Sequence, residues 1–149
     1  MSYIEQEVEN LGVFLEKFGR TPIEGRVFAY LLIVDPPHSS FDELVEFLQA
    51  SKGAISKALN NFMKEGTVSY KTFSGDRKRY FYIDTKGWRN SIIEGSKNFS
   101  AFNIVLDKVL SLREGSTDEK FNQDILHIKE FQEFISHKLE IAIEEWMSK

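Results

Sequence analysis

The sequence predicts a mainly α-helical fold with one small β-hairpin, and three observations carry that prediction. Apolar residues recur at helical spacing through most of the chain, and three Ser/Thr-x-x-Glu signatures stand where helices should begin. Between Gly66 and Ile83 the pattern changes to two β-rich runs around a polar, Gly-containing turn. At 149 residues and 42% hydrophobic, the chain can bury one sizeable core and a dimer seam but hardly two independent domains, so residues 1–149 are expected to form a single domain.

The first helix is expected over residues 3–18. Ile4, Val8, Leu11, Phe14, Leu15 and Phe18 form one apolar face, and Gly19 closes the run. Thr21 with Glu24 makes a capping box, and Pro22 takes the first helical position, where a missing N–H costs nothing. The segment that follows, Val27 to Val34, is almost wholly apolar and predicts a helix buried on most sides; Asp35, Pro36 and Pro37 end it. Ser40 with Glu43 opens a third helix whose core face is Phe41, Leu44, Val45 and Leu48. Ser39 and Ser40 can serve there as caps or meet a phosphate at the helix N-terminus, and capping is the commoner role.

Ala50 and Ser51 then make a tight turn into a fourth helix, with Ser51 as its cap and Gly66 just past its end. At about 100° per residue, Ile55, Ala58, Leu59 and Phe62 share one side of this helix. Gly53, Lys57, Asn60 and Lys64 fall opposite, flanked by Ser56 and Asn61, with Lys52 in the first turn. Lys, Asn and Ser can reach base edges and phosphate oxygens, while a glycine in the first turn lets backbone approach a phosphate. That glycine costs about 1 kcal/mol of helix stability relative to alanine, so it needs a reason. Polar faces of this kind are also the rule on solvated helices. The adjacent hairpin tips the balance: its arms are Val68, Tyr70, Thr72 and Tyr80 to Ile83, and its tip carries Arg77, Lys78 and Arg79 in succession. Such a run can guard a sheet edge, or it can place an arginine in the minor groove of DNA, with Asp76 orienting it or capping the turn.

Charge is distributed accordingly. The whole chain carries −4, yet residues 51–80 hold seven basic and two acidic side chains, a local +5 that leaves −9 for the rest. A basic module in an acidic chain suits a specific DNA contact and disfavours indiscriminate polyanion binding.

Two helices, a tight turn and a basic hairpin make the pattern of a winged helix-turn-helix. The run from Gly25 to Asp84 resembles the winged module of MarR-type bacterial regulators, most of all the GbsR-like branch of that superfamily. Gly25-Arg26 ahead of an apolar helix, Asp35-Pro36-Pro37, Ser51-Lys52-Gly53 with Ser56, and Gly75-Asp76-Arg77 carry the resemblance. It covers about residues 20–84, and the flanking helices, 1–19 and 85–149, fit the same plan as dimerisation helices. The resemblance implies a homodimer that binds double-stranded DNA at a palindrome-like operator and regulates transcription, most often as a repressor whose affinity a small-molecule effector can set. The residues expected at DNA are Ser40, Ser51, Lys52, Gly53, Ser56, Lys57, Asn60, Asn61, Lys64, Arg77, Lys78 and Arg79. An interaction module that docks a protein rather than DNA is the rival expectation.

Beyond the wing, Trp88, Ile92, Ile93, Phe99, Phe102, Val105, Leu106, Val109 and Leu112 predict a long helix with a soft point near Gly95, broken by Gly115. Ser116 with Glu119 is expected to cap the last helix, which runs to about Met147. In it Phe121, Ile125, Ile128, Ile135, Leu139, Ala142 and Trp146 follow a 4-3 spacing interrupted at Gln132. That stripe suits helices of a second chain, or the first helix of the same chain, and both can hold at once.

Several chemistries are disfavoured. His38, His127 and His137 have no ligand spacing, no phosphate-binding Gly-rich loop is present, and no nucleophile stands beside a base, so neither a metal nor a cofactor nor enzymatic activity is expected. The chain has no Cys, no apolar signal region and no stretch of about 18 apolar residues, which suits a cytoplasmic protein away from membranes. Tyr30, Trp88, Phe99, Phe102 and Trp146 could cage a cationic effector or simply fill a core.

Overall fold

The computed structural model describes residues 1–149. Its elements are α1 (Tyr3–Glu16), α2 (Pro22–Ile33), β1 (Ser39–Ser40), α3 (Phe41–Leu48), α4 (Lys52–Glu65), β2 (Val68–Lys71), β3 (Tyr80–Ile83), α5 (Thr85–Leu112) and α6 (Glu119–Met147). They divide into two compact units, Met1–Ser91 and Ile92–Lys149, with the boundary inside α5 rather than at the end of the wing.

The first unit is a winged helix-turn-helix packed around α2. Seven residues of α2 are buried, Val27, Phe28, Ala29, Tyr30 and Leu31 among them, as its nearly continuous apolar sequence predicts. Leu44 of α3 and Ile55, Ala58, Leu59 and Phe62 of α4 close over it with Val68 and Phe81 of the sheet. Phe28 stacks on Phe62 and meets the edge of Trp88, each at 5.2 Å between ring centroids. The turn between α3 and α4 places Gln49 at φ 51° with its side-chain amide donating to the Glu46 carbonyl at 2.6 Å, an interaction that offsets a left-handed residue.

α1 lies against α2 through two glycines. A Cβ on Gly25 would sit 2.6 Å from the Gly12 carbonyl oxygen, so the helices touch backbone to backbone. Arg26 then clamps α1 from the side, donating to Glu9 at 2.6 Å and Glu16 at 3.2 Å. Val8 and Gly12 face inward, while Ile4, Leu11, Phe14 and Phe18 remain exposed. The expected apolar face is therefore two stripes, and only one of them is used within this unit.

The sheet has three strands in the order β1-β3-β2, all antiparallel. Sequence patterning predicts the β2-β3 hairpin but not β1, whose two serines pair with Tyr80 and Phe81. A two-residue strand is too short to leave an alternating signature.

The second unit is an antiparallel pair of long helices, tied by Lys129 to Asp107 at 2.6 Å and by Arg113 to Asn122 at 2.6 Å. α5 runs unbroken past Gly95. Ser116 does not cap α6 as expected. Asp118 takes that place, accepting from the Phe121 N–H at 3.0 Å, because a carboxylate satisfies the free amides and the positive helix end together. Ser116 instead accepts from the Asn122 amide at 3.0 Å. No residue of α6 is fully buried. The expected stripe splits: Ile125, Ile135 and Leu139 are half-buried, whereas Phe121, Ile128, Ala142 and Trp146 are exposed. No helix is long and apolar enough to cross a membrane.

Candidate nucleic-acid interface

α4 exists where it does because Ser51 caps one end and Gly66 closes the other. The Ser51 hydroxyl accepts from the Ala54 N–H at 3.1 Å, and Gly66 adopts φ 82°, a backbone that a Cβ disfavours. Burial of Ile55, Ala58, Leu59 and Phe62 on α2 fixes the rotation of the helix. Lys52, Gly53, Ser56, Lys57, Asn60 and Lys64 are all exposed on the other side. None of these side chains makes a hydrogen bond or an ion pair within the chain. Gly53 has no atom within 4 Å of the position a Cβ would take, so nothing inside the protein requires a glycine there.

Asn61 goes elsewhere. It is half-buried, and its amide donates to the Glu24 carboxylate at 3.3 Å, on the α2 side of the helix. Burial by itself would raise the Glu24 carboxyl, but donation from the Thr21 N–H and hydroxyl and from Asn61, together with the Arg20 cation, holds it below the ordinary glutamate range. Arg20 forms a bidentate pair with Glu65, both contacts at 2.7 Å, and rests over the Phe62 ring. This network ties the C-terminal end of α4 to the start of α2. The position of Asn61, one step round from Asn60, is the feature that helical projection resolves least well.

Ser40 is likewise committed. It is 2% exposed, and its hydroxyl accepts from the Glu43 N–H at 3.2 Å, so the structure places it as a cap.

The wing closes through Asp76. Its carboxylate accepts from the Lys78 N–H at 2.9 Å and from the Tyr80 hydroxyl at 2.6 Å, and its own N–H donates to the Phe73 carbonyl at 3.0 Å. The Tyr80 hydroxyl bond, first of all, holds the Asp76 carboxyl below its usual range and pushes the Tyr80 phenol up. Asp76 thus caps the turn rather than pairing with Arg77. Arg79 lies over the Tyr70 ring at 4.6 Å, and Lys71, absent from the sequence-derived set, lies over Phe73 and Tyr82 at 5.6 and 5.4 Å. The side chains of Arg77 and Lys78 make no such contact and stay exposed. Sheet alternation alone does not reveal the pairs Arg79–Tyr70 and Lys71–Tyr82, because they join neighbours across strands.

α4 and the wing converge on one open groove of about 380 Å³. Ser56 and Asn60 line it from the helix, Lys78 and Arg79 from the wing, with Ser40 and Asp42 at the start of α3. Tyr30 and Trp88, expected as possible cage residues, belong to the aromatic core of the first unit, while Phe99, Phe102 and Trp146 are exposed in the second. No group of three or more His, Asp or Glu side chains is arranged to hold a metal ion.

No protein-family model matches the chain. Over 80 residues, 54% of its length, it is 35% identical to the HTH-type transcriptional regulator MmpR5 of Mycobacterium tuberculosis, of which it spans 48%. The chain therefore covers about half the length of that relative. In structure it is similar to a solved transcriptional regulator across 99% of its own residues and 100% of the other, with a TM-score of 0.78 and 22% identity, which shows a shared fold. MarR of E. coli is more distant, with a TM-score of 0.45 and 17% identity over 86% of this chain and 90% of that one. The relatives so described are transcriptional regulators, a class without enzymatic activity.

Proposed function

From its fold, a winged helix-turn-helix of the MarR type, we propose that the chain is a sequence-specific DNA-binding transcriptional regulator that works as a homodimer. The observation that carries this reading is the row Lys52, Ser56, Lys57, Asn60 and Lys64. It is exposed and without intramolecular partners, and it lies beside a wing whose Arg77 and Lys78 are equally unengaged. Unpaired donors and cations on a capped helix match what a major groove offers: acceptor atoms on base edges and phosphates along its walls. In this reading Ser56 and Asn60 meet bases, Lys52, Lys57 and Lys64 meet phosphates, Gly53 allows close backbone approach, and Arg77 enters the minor groove. Ser51 sits at the same helix end, where its exposed cap can also meet a phosphate.

A dimer is supported by the exposed apolar side chains of the second unit, Phe121, Ile128, Phe131, Phe134, Ile141 and Trp146 among them, on helices that bury almost nothing by themselves. The outer stripe of α1 adds to the surface that needs a partner. Two copies related by a two-fold axis would read half-sites about one DNA turn, roughly 34 Å, apart. Repression, and release by a small-molecule effector, follow from the MarR resemblance and complete the proposal.

Fluorescence anisotropy with a labelled duplex from upstream of the chain's own gene, titrated against competitor DNA near physiological salt, tests it. Binding that survives competitor and falls about tenfold or more in Arg77→Ala, with the dimer intact, is the expected result. Binding that competitor abolishes removes the sequence-specific reading.

A further inference from the structure

The wing is held from outside itself. Three rings meet at its base, each from a different segment: His38 from the residues leading into β1, Phe73 from the outgoing arm, and Tyr80 from β3. His38 lies 5.4 Å from Phe73 and 5.2 Å from Tyr80, and Phe73 lies 5.2 Å from Tyr80, the two contacts to Tyr80 being edge-to-face. From Tyr80 the hydroxyl reaches Asp76 at 2.6 Å, and Asp76 takes the Lys78 N–H at 2.9 Å. Arg77 is the residue between those two pinned positions.

His38 makes no side-chain hydrogen bond, and its Nδ1 is buried without a partner. Its contacts within the protein are those of a flat ring packed against Phe73 and Tyr80.

We propose that His38 and Tyr80 are positioning residues that fix the wing in the conformation presenting Arg77, His38 by packing and Tyr80 through Asp76. This rests on the DNA-binding reading above, since the wing matters only if Arg77 has a phosphate or groove to meet. It adds to that reading a residue distant in sequence from both basic elements. The sheet explains the distance: pairing of Ser39 with Phe81 and Ser40 with Tyr80 brings residue 38 to the foot of the hairpin.

The test uses a duplex selected from a random-sequence pool by the wild-type protein, with affinity measured across a salt series. His38→Ala and Tyr80→Phe are each expected to lower affinity at least fivefold and to shrink the salt slope by about one contact, as Arg77→Ala does. Adding Arg77→Ala to either should cost little more, because all three remove the same interaction. His38→Phe should stay within about twofold of wild type. Losses that add to that of Arg77→Ala, or a His38→Ala protein that binds normally, would overturn the proposal. Limited trypsin digestion keeps it testable apart from DNA: cleavage after Arg77 should quicken in His38→Ala but not in His38→Phe, and equal rates would overturn it too. If the wild type selects no duplex while trypsin shows the expected pattern, the DNA reading fails and the wing anchor stands.

Discussion

The two units bury their apolar residues to very different extents. In the first, α2, α3, α4 and the sheet enclose a core in which Phe62, Leu31, Leu44, Ile55 and Leu59 are essentially inaccessible to water. In the second, 58 residues of helix and turn bury only Asn103 and Leu106, and exposed aromatics run along both helices. Both carry apolar residues at helical spacing in the sequence. The difference teaches that an amphipathic stripe states how much surface must be covered and leaves open which chain covers it. A unit that closes on itself can display polar groups freely, whereas one that does not leaves apolar side chains facing water.

The largest effect that sharpens this contrast is expected at Phe62. Phe62→Ala empties a fully buried site against Phe28 and Arg20 and should cost about 3–5 kcal/mol in urea unfolding. A loss below about 1 kcal/mol would mean that the core is not the closed structure described.

Phe131 and Phe134, each 60% exposed, provide the counterpart. Replacing both with Glu should shift sedimentation from dimer to monomer, weaken operator binding strongly and leave the first unit folded by near-ultraviolet circular dichroism. A double variant that still sediments as a dimer would break the comparison, because the second unit would then need no such surface.

Gly53→Ala separates stability from function within the first unit. With open space around it, the new methyl should raise helix stability by about 1 kcal/mol, seen as a higher Tm. DNA affinity should nevertheless fall if backbone approaches phosphate there. A variant that gains both stability and affinity would assign Gly53 no role at DNA.

The smallest effect concerns pH. The Glu24 carboxyl titrates below its ordinary value of 4.5 in the folded chain, so the stability it contributes is present above that value and is lost as pH falls through the lower, folded one. An acid titration of unfolding should show Glu24→Gln losing less stability than wild type below about pH 4.5, with the gap closing in strong acid. Parallel curves would detach Glu24 from the link between α2 and α4.

Much of this protein follows from local chemistry. Capping boxes at Thr21 and Ser40, Ser51 as a cap, glycines at 19, 66 and 115 and the proline pair after α2 bring helix boundaries to within a few residues, because each acts through backbone groups two to four positions away. The exposed row of α4 is equally local, since helix geometry alone spaces it. Tertiary structure decided what depends on distant partners. It turned Asn61 toward Glu24 and laid Arg79 on Tyr70. Above all it carried His38 to the wing, because pairing between β1 and β3 joins residues about forty positions apart and leaves no periodic trace in either segment.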